Sequence, residues 1–146
     1  MYEILKAIHS YTRWAVIILA IVVLAKAVQG ITQKKAFTES DRKAGLFFMI
    51  ICHIQLTIGM VLYFHYSPLG LQAFGLGMKE VMKTAVYRKI AVEHITGMII
   101  ALVLITMGYS KNKRSTIDTQ RHKNALTFYG IGLLLIIATI PWDRLF

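Results

Sequence analysis

The sequence predicts an all-α integral membrane protein whose single domain, residues 1–146, is a four-helix up-down bundle. Apolar residues make up 56% of the 146 residues and charged residues only 16%, with a mean hydropathy of +0.57. This apolar content exceeds the roughly 45–50% of a soluble domain. Three long runs, 44–78, 95–110 and 124–142, carry no Asp, Glu, Lys or Arg. Because these runs also lack the alternation of membrane barrel strands, helices are predicted.

The first span is predicted at about 5–28. The 12 uncharged residues between Arg13 and Lys26 cover only about 18 Å of a roughly 30 Å hydrocarbon core. One or both of these cations must therefore reach the interface or be buried with a partner. We do not interpret this segment as a signal peptide, because it contains His9 and Arg13 and no small-residue cleavage site follows a short apolar stretch.

The other spans are predicted at about 44–66, 89–109 and 125–143. Pro68 has no amide hydrogen and should end the second span. The loop that follows, about 66–88, is the longest connection and intersperses apolar side chains with lysines and a glutamate. This pattern predicts a short amphipathic segment on the membrane surface.

Charge placement predicts the topology. Ten of the cations fall near the first and third loops, which lie on one side of an up-down bundle: Lys26, Lys34, Lys35, Arg42, Lys43, Lys111, Lys113, Arg114, Arg121 and Lys123. By the positive-inside rule these loops are cytoplasmic, so both termini and the second loop face outward. The net charge of +10 is therefore assigned to topology and anionic lipid, and no nucleic-acid partner is expected.

Ionisable side chains inside the spans are the candidate functional residues, because such groups are costly at membrane depth. They are His9 and Arg13 in span one, His53 in span two, and Glu93 with His94 in span three. We expect all five to contribute to a cofactor site. Two further histidines, at positions 65 and 122, lie close to span ends and are interpreted as interfacial.

The depths of the three histidines can be counted along the helices. His94 lies five residues beyond Lys89, about 8 Å inside the boundary at 1.5 Å per residue. His53 lies near the middle of its span, so its depth differs from that of His94 by about 10 Å. If helix tilt does not absorb this difference, His9 is the better partner for His94, since both lie in the outer half.

Glu93 and His94 are adjacent, so their side chains point about 100° apart on a helix. This separation predicts two roles for the pair. Glu93 is expected to pair with Arg13, which would lower the cost of burying either charge. His94 is then the residue that we expect to bind a cofactor.

Haem is the cofactor that the histidines suggest. Neutral imidazole is a common axial ligand of haem b, and helix bundles build cofactor sites from facing helices. Two of the three residues His94, His53 and His9 would ligate the iron. No CxxCH motif is present, so covalent attachment is not expected. Structural or proton-relay histidines fit the same pattern.

Several stretches together resemble a family of short bacterial four-span membrane proteins commonly labelled cytochrome b-like, and the resemblance covers nearly the whole chain. This resemblance implies a haem site at His9, Arg13, His53, Glu93 and His94, points less firmly to His122, and implies a location in a bacterial inner membrane. The stretches are HSYTRW at 9–14, HIQLTIGMVLYF at 53–64, SP at 67–68, VEHITGM at 92–98, ALVLITMGYSKNK at 101–113, RHK at 121–123 and IPW at 140–142.

Three function classes follow from these observations. The first is a b-type cytochrome that transfers electrons, with quinol or a respiratory protein as partner and Arg13 on a haem propionate. The second is a small membrane enzyme of tetrapyrrole metabolism, similar to the compact protoporphyrinogen oxidases in length, span number and intramembrane His and Arg. The third is a haem-free accessory subunit of a larger membrane complex. Whether the protein is an enzyme stays open at this point.

Overall fold

The computed structural model describes residues 1–142, and every regular element among them is helical, as predicted. Three segments of this part of the chain are π-helical: Leu62–Tyr66, Lys89–His94 and Ala125–Tyr129. A 3₁₀ turn covers Leu71–Leu76. The α-helices are α1 (Tyr2–Thr32), α2 (Glu39–Val61), α3 (Met78–Lys83), α4 (Ala85–Arg88), α5 (Ile95–Arg114), α6 (Asp118–Asn124) and α7 (Gly130–Thr139).

Within residues 1–142, three helical stretches are long and apolar enough to cross a membrane: Tyr2–Thr32, Glu39–Leu76 and Ala85–Arg114. They contain the first three predicted spans and extend past them at both ends. The predicted fourth span, 125–143, is helical through residue 139, and residue 143 lies outside the described residues. The helices are longer than the predicted spans because uncharged runs mark the apolar layer, whereas backbone hydrogen bonding continues through charged residues.

The start of α2 shows why a helix begins before its apolar run. The amide of Thr38 donates to Asp41 Oδ2 at 2.9 Å, and the amide of Asp41 donates to Thr38 Oγ1 at 3.3 Å. This reciprocal capping box satisfies two amides that a helix start leaves without partners. The other carboxylate oxygen of Asp41 lies 3.3 Å from Lys26 Nζ on α1. Asp41 therefore both starts α2 and ties it to α1.

We expect Asp41→Ala to lower the free energy of unfolding by about 1 kcal/mol, because it removes one half of a capping box together with an ion pair. The measurement is thermal or denaturant unfolding of the detergent-solubilised protein. Asp118→Ala is the matched control: Asp118 also lies in the first turn of a helix, α6, and makes no side-chain hydrogen bond or ion pair within residues 1–142. Equal losses in the two variants would contradict the assigned role of Asp41.

The long helices pack in a closed order, in which α1 contacts α2, α2 contacts α5, α5 contacts α7, and the segments from α6 to α7 return to α1. Small side chains at Ala20 and Ala27 are almost fully buried on α1, which allows close approach of neighbouring helices. The core holds Val16, Ala20, Val23, Ala27, Phe48, Cys52, Ala101, Leu102, Ile105, Ala125, Tyr129, Ile136 and Ile140.

The two ends of the molecule differ in chemistry. The end where α1 begins and α7 stops carries His9 and His94, and we call it the histidine end. The opposite end carries the connections 33–38 and 115–117, and we call it the basic end.

The predicted amphipathic segment of the second loop is present as short helices, the 3₁₀ turn followed by α3 and α4. Ala73 and Val81 from this segment are buried against Ala91 and form a small second core. The segment is therefore packed against the start of the third long helix.

Candidate functional site

A cavity of about 190 Å³ lies between α1, α2, α5 and α7 at the histidine end. One face of α1 contributes Lys6, His9 and Arg13, each about one turn from the next. The floor of the cavity, toward the packed core, is apolar. It is formed by Val16, Cys52, Leu56, Met98, Ala101, Leu102, Ile105 and Ile136. The cavity thus combines an apolar interior with a cationic and imidazole-bearing wall.

His9 and His94 approach each other across this cavity from α1 and from the start of the third long helix. Their ring centroids are 6.3 Å apart, with the ring planes at 90°. The buried Nδ1 atom of His9 has no hydrogen-bond partner among residues 1–142. A Cβ atom added to Gly59 would lie 3.1 Å from His9 Cε1, so the absence of a side chain at Gly59 leaves room for this ring.

His94 is held by a backbone group. Its Nδ1 atom lies 3.0 Å from the carbonyl oxygen of Thr139, the last residue of α7. Carbonyls in the last turn of a helix lack an amide partner within the helix. Because a carbonyl oxygen only accepts hydrogen bonds, His94 carries its proton on Nδ1 here. Its Nε2 atom then keeps a lone pair, which is the arrangement of a metal-binding imidazole oriented by a second hydrogen bond.

Gly97, three residues after His94, brings α7 close enough for this hydrogen bond. A Cβ atom at Gly97 would lie 2.5 Å from Thr139 Cγ2 and 2.5 Å from Thr139 Oγ1. The missing side chain therefore permits direct contact of α5 with the end of α7. The position of the His94 ring depends on this contact.

The α1 wall of the cavity is fixed to α2 by an amide side chain. Gln55 Nε2 donates to the carbonyl oxygen of His9 at 2.7 Å, and its Oε1 accepts from the hydroxyl of Thr12. Both polar ends of the Gln55 amide are thereby used between the two helices. The backbone that carries His9 is consequently held in place beside the cavity.

Two of the π-helical segments border the cavity and are joined by one hydrogen bond. The hydroxyl of Tyr63, from the segment after α2, donates to the carbonyl oxygen of Ala91 at 2.7 Å. Ala91 lies in the segment that ends at His94. π-helical turns occur frequently at functional sites, since the extra residue redirects the side chains around them. Tyr63 therefore helps to fix the turn that presents His94.

Arg13 lies on the cavity wall with its guanidinium carbon 5.3 Å from the ring centroid of Trp14. Lys6, at the mouth, has its ammonium 5.7 Å from the ring centroid of Tyr2. These two cations lie on either side of His9 along α1. An amphiphilic ligand with carboxylates would meet a positive charge on both sides of that histidine.

No family model, curated protein or solved structure matches the chain. The resemblance to the cytochrome b-like family described above therefore stays a prediction. The functional proposal therefore rests on the geometry of the cavity.

Glu93 has a different partner from the one expected. Its Oε1 atom lies 3.2 Å from Arg88 Nε, and both side chains are substantially exposed. Arg88 also donates to the carbonyl oxygen of Met82 at 2.9 Å. Glu93 is not among the residues that line the cavity. Glu93 thus forms an ion pair within the third long helical stretch, and Arg88 links that stretch to α3, whereas Arg13 lies on the cavity wall.

His53 also lies away from the cavity. Its side chain is exposed between α2 and α5, and Nε2 lies 3.3 Å from Thr106 Oγ1. Cys52 and Gln55, on the same turn of α2, do line the cavity. Of the three histidines proposed as ligands from the sequence, the structure thus brings together His9 and His94 and not His53.

His122, interpreted from the sequence as an interfacial histidine, is only 2% exposed. His122 Nε2 lies 3.2 Å from the carbonyl oxygen of Lys35, and the ring of Phe37 lies 5.2 Å from it, centroid to centroid. The ring also occupies the space next to Gly30, where any added Cβ atom would overlap it. His122 is a structural residue of the basic end, where it fixes the first connection to α6.

Sequence reasoning missed several residues around the cavity. Gln55 is a polar residue within an apolar span and could have been found by that signal. Thr139 acts through its backbone carbonyl, so its residue type gives no indication of the role. Tyr63 lies near a span end, where tyrosine is common for reasons unrelated to a site.

Proposed function

We propose that this protein is a small b-type cytochrome that holds one haem b between His9 and His94 and transfers single electrons within the membrane. The observation that carries the proposal is the distance of 6.3 Å between the two ring centroids in a shared cavity. Because a metal–imidazole bond is about 2 Å long, two rings that share one metal on opposite sides have centres roughly 6 Å apart. The spacing of the pair suits a single iron atom.

The protonation pattern of the two histidines supports the same role. His94 donates through Nδ1 and keeps a lone pair on Nε2, as an axial ligand requires. The ring of His9 has a buried nitrogen with no partner in the described chain, which a bound ligand could satisfy. Within residues 1–142 no group of three or more His, Cys, Asp or Glu side chains could hold a metal ion. A b-type protein supplies its haem iron with two imidazole ligands, since the porphyrin supplies the other ligands.

The cavity wall also suits a porphyrin. Its apolar floor would take the hydrocarbon ring, and Met60 and Met98 are flexible side chains that adapt to a ligand's outline. Lys6 and Arg13 would bind the propionates, for which a guanidinium fork is well matched. When bound, haem would supply a one-electron redox couple. The chain would orient His94 through Thr139, hold His9 through Gln55, and exclude water from the floor.

We further propose a placement in the membrane. The fourth span begins in the segment 125–139, and together with the three long apolar helices it completes an up-down bundle. Seven exposed cations at the basic end support a cytoplasmic position for that end, which puts the histidine end on the outer side of a bacterial inner membrane. They are Lys34, Lys35, Lys43, Lys111, Lys113, Arg114 and Lys123.

The optical spectrum tests the haem proposal. We expect protein purified in detergent from haem-replete cells to show a Soret band and, after reduction, the sharp α-band of low-spin haem. His53→Ala should keep this spectrum, since His53 does not line the cavity. A colourless preparation would refute the proposal, and loss of the spectrum in His53→Ala would refute the ligand pair.

A second candidate is a tetrapyrrole enzyme, and the observation that favours it is the pair of cations, Lys6 and Arg13, on the wall beside His9. The same cavity could take a tetrapyrrole as substrate, bound by its carboxylates. This candidate requires turnover of a reduced porphyrin in membranes and its loss in Arg13→Ala. Stoichiometric haem retained through purification, without such turnover, would reject it.

A further inference from the structure

His53 places an imidazole on the outside of the helices in the middle of an apolar stretch. It lies on α2, where Cys52 and Gln55 face the cavity, while the His53 ring itself is exposed. In the membrane placement proposed above, this exposed surface meets lipid. A polar group at that depth is costly unless a hydrogen-bonding partner satisfies it.

The ring makes one hydrogen bond within the described part of the chain, between Nε2 and Thr106 Oγ1 at 3.3 Å. No described residue bonds to Nδ1 of His53. The nearby hydroxyl of Thr57 is already used, since it donates to the backbone carbonyl of His53 at 2.8 Å. His53 and Thr106 therefore form a polar pair with unused hydrogen-bonding capacity, and we call it the lateral pair.

The lateral pair offers a hydrogen-bond donor in either tautomer of the imidazole. If Thr106 donates to Nε2, the proton of His53 is on Nδ1 and is free to be donated. If Nε2 donates to Thr106, the hydroxyl proton of Thr106 is free and Nδ1 is an acceptor. The first arrangement binds a carbonyl oxygen, and the second binds a carbonyl or a phenolic hydroxyl. This is the hydrogen-bonding pattern of a quinone and its reduced form.

The surroundings favour a flat ligand over another helix. The exposed neighbours on the two helices are large or branched, namely Ile50, Ile54, Val103 and Met107. Close contacts between membrane helices usually use small residues that let the backbones approach. A quinone ring with an apolar tail requires apolar contacts and one or two hydrogen bonds, which this surface provides.

From these observations we infer that His53 and Thr106 bind the head group of a membrane-soluble quinone that approaches from the lipid. Thr106 precedes Lys111 by five residues, about 8 Å at 1.5 Å per residue. The pair therefore lies below the basic interface, within the apolar layer that a lipid-soluble quinone occupies. The inference rests on the proposed membrane placement and not on the haem, so a colourless preparation would leave it standing.

Photolabelling tests the lateral pair. The protein is reconstituted in phosphatidylcholine nanodiscs and irradiated with a short-chain azido-ubiquinone, with and without excess decylubiquinone. We expect competed labelling in peptides that contain residues 50–57 or 103–107. His53→Leu and Thr106→Val should each lower this labelling roughly fivefold, the effect of one lost hydrogen bond. His65→Leu is the matched control, because His65 is an exposed histidine on the same helical stretch, and it should label like the wild type.

Three outcomes would overturn the inference. Labelling that survives in both variants of the pair would show that neither side chain binds the probe. Competed labelling confined to other peptides would place the quinone elsewhere. Absence of labelling, with a dimer that His53→Leu converts to a monomer, would assign the surface to a second copy of the chain. Elution of each variant as a folded species from size-exclusion chromatography is checked first.

Discussion

Alanine in place of His94 is expected to abolish the low-spin haem spectrum. The substitution removes the imidazole that lines the cavity and also the hydrogen bond to Thr139. Loss of an orienting hydrogen bond alone commonly weakens metal binding 10- to 100-fold, so loss of the ligand itself should lower the haem content of purified protein by at least about tenfold. Haem per polypeptide, measured by the pyridine haemochrome assay, gives the result.

His65→Ala is the control for the His94 variant, because His65 is an exposed histidine that is absent from the cavity lining. Free imidazole added to His94→Ala should restore part of the low-spin spectrum, since the truncation leaves a space the size of the lost ring. Such restoration would show that the His94→Ala protein is folded and lacks only the ligand. An unchanged spectrum in His94→Ala would remove this residue as a ligand and, with it, the proposed pair.

Gly30→Ala is expected to be the most destabilising single-methyl change in the basic end. The added Cβ atom would overlap the ring of His122, which is 2% exposed and hydrogen-bonded to the Lys35 carbonyl. A buried ring in contact on all sides has little room to move, so overpacking should cost about 1–3 kcal/mol. The midpoint of thermal unfolding in detergent should fall accordingly.

The matched control is Gly75→Ala. Nothing lies within 4 Å of a Cβ atom built at Gly75, so this variant should unfold within about 0.5 kcal/mol of the wild type. In the His122→Ala background, Gly30→Ala should cost less stability than it does in the wild type, because the overlap no longer exists. A Gly30→Ala protein as stable as the wild type would show that the first connection readjusts at little cost.

Charge-free runs were sufficient to predict the long helices. They could not predict where the helices begin, because that depends on local hydrogen bonds such as the capping box of Thr38 and Asp41. Counting residues placed His9 and His94 in the outer halves of their spans, and the structure puts their ring centroids 6.3 Å apart. Depth along a helix follows directly from sequence, since the rise per residue is fixed.

The directions of the side chains were harder to predict than their depths. Glu93 pairs with Arg88, and it lies in a π-helical segment, where the angle between successive residues differs from that of an α-helix. His53 could be placed at mid-span by counting, but the side of α2 on which it lies depends on how the helices are rotated about their axes. Prediction of the burial of His122 would have required knowledge of its contact with a distant glycine, Gly30, whose missing side chain makes room for the ring.

The hydrogen bond between His94 and the end of α7 also constrains how the protein is made. His94 lies in the third long helix, but the carbonyl that orients it belongs to Thr139. During synthesis the ring has no fixed direction until α7 has been made and has packed against Gly97. Under the proposed function, haem loading is then expected to be a late event in biogenesis, after α7 has been made. Chains truncated before residue 139 should integrate into membranes and yet remain unable to mature.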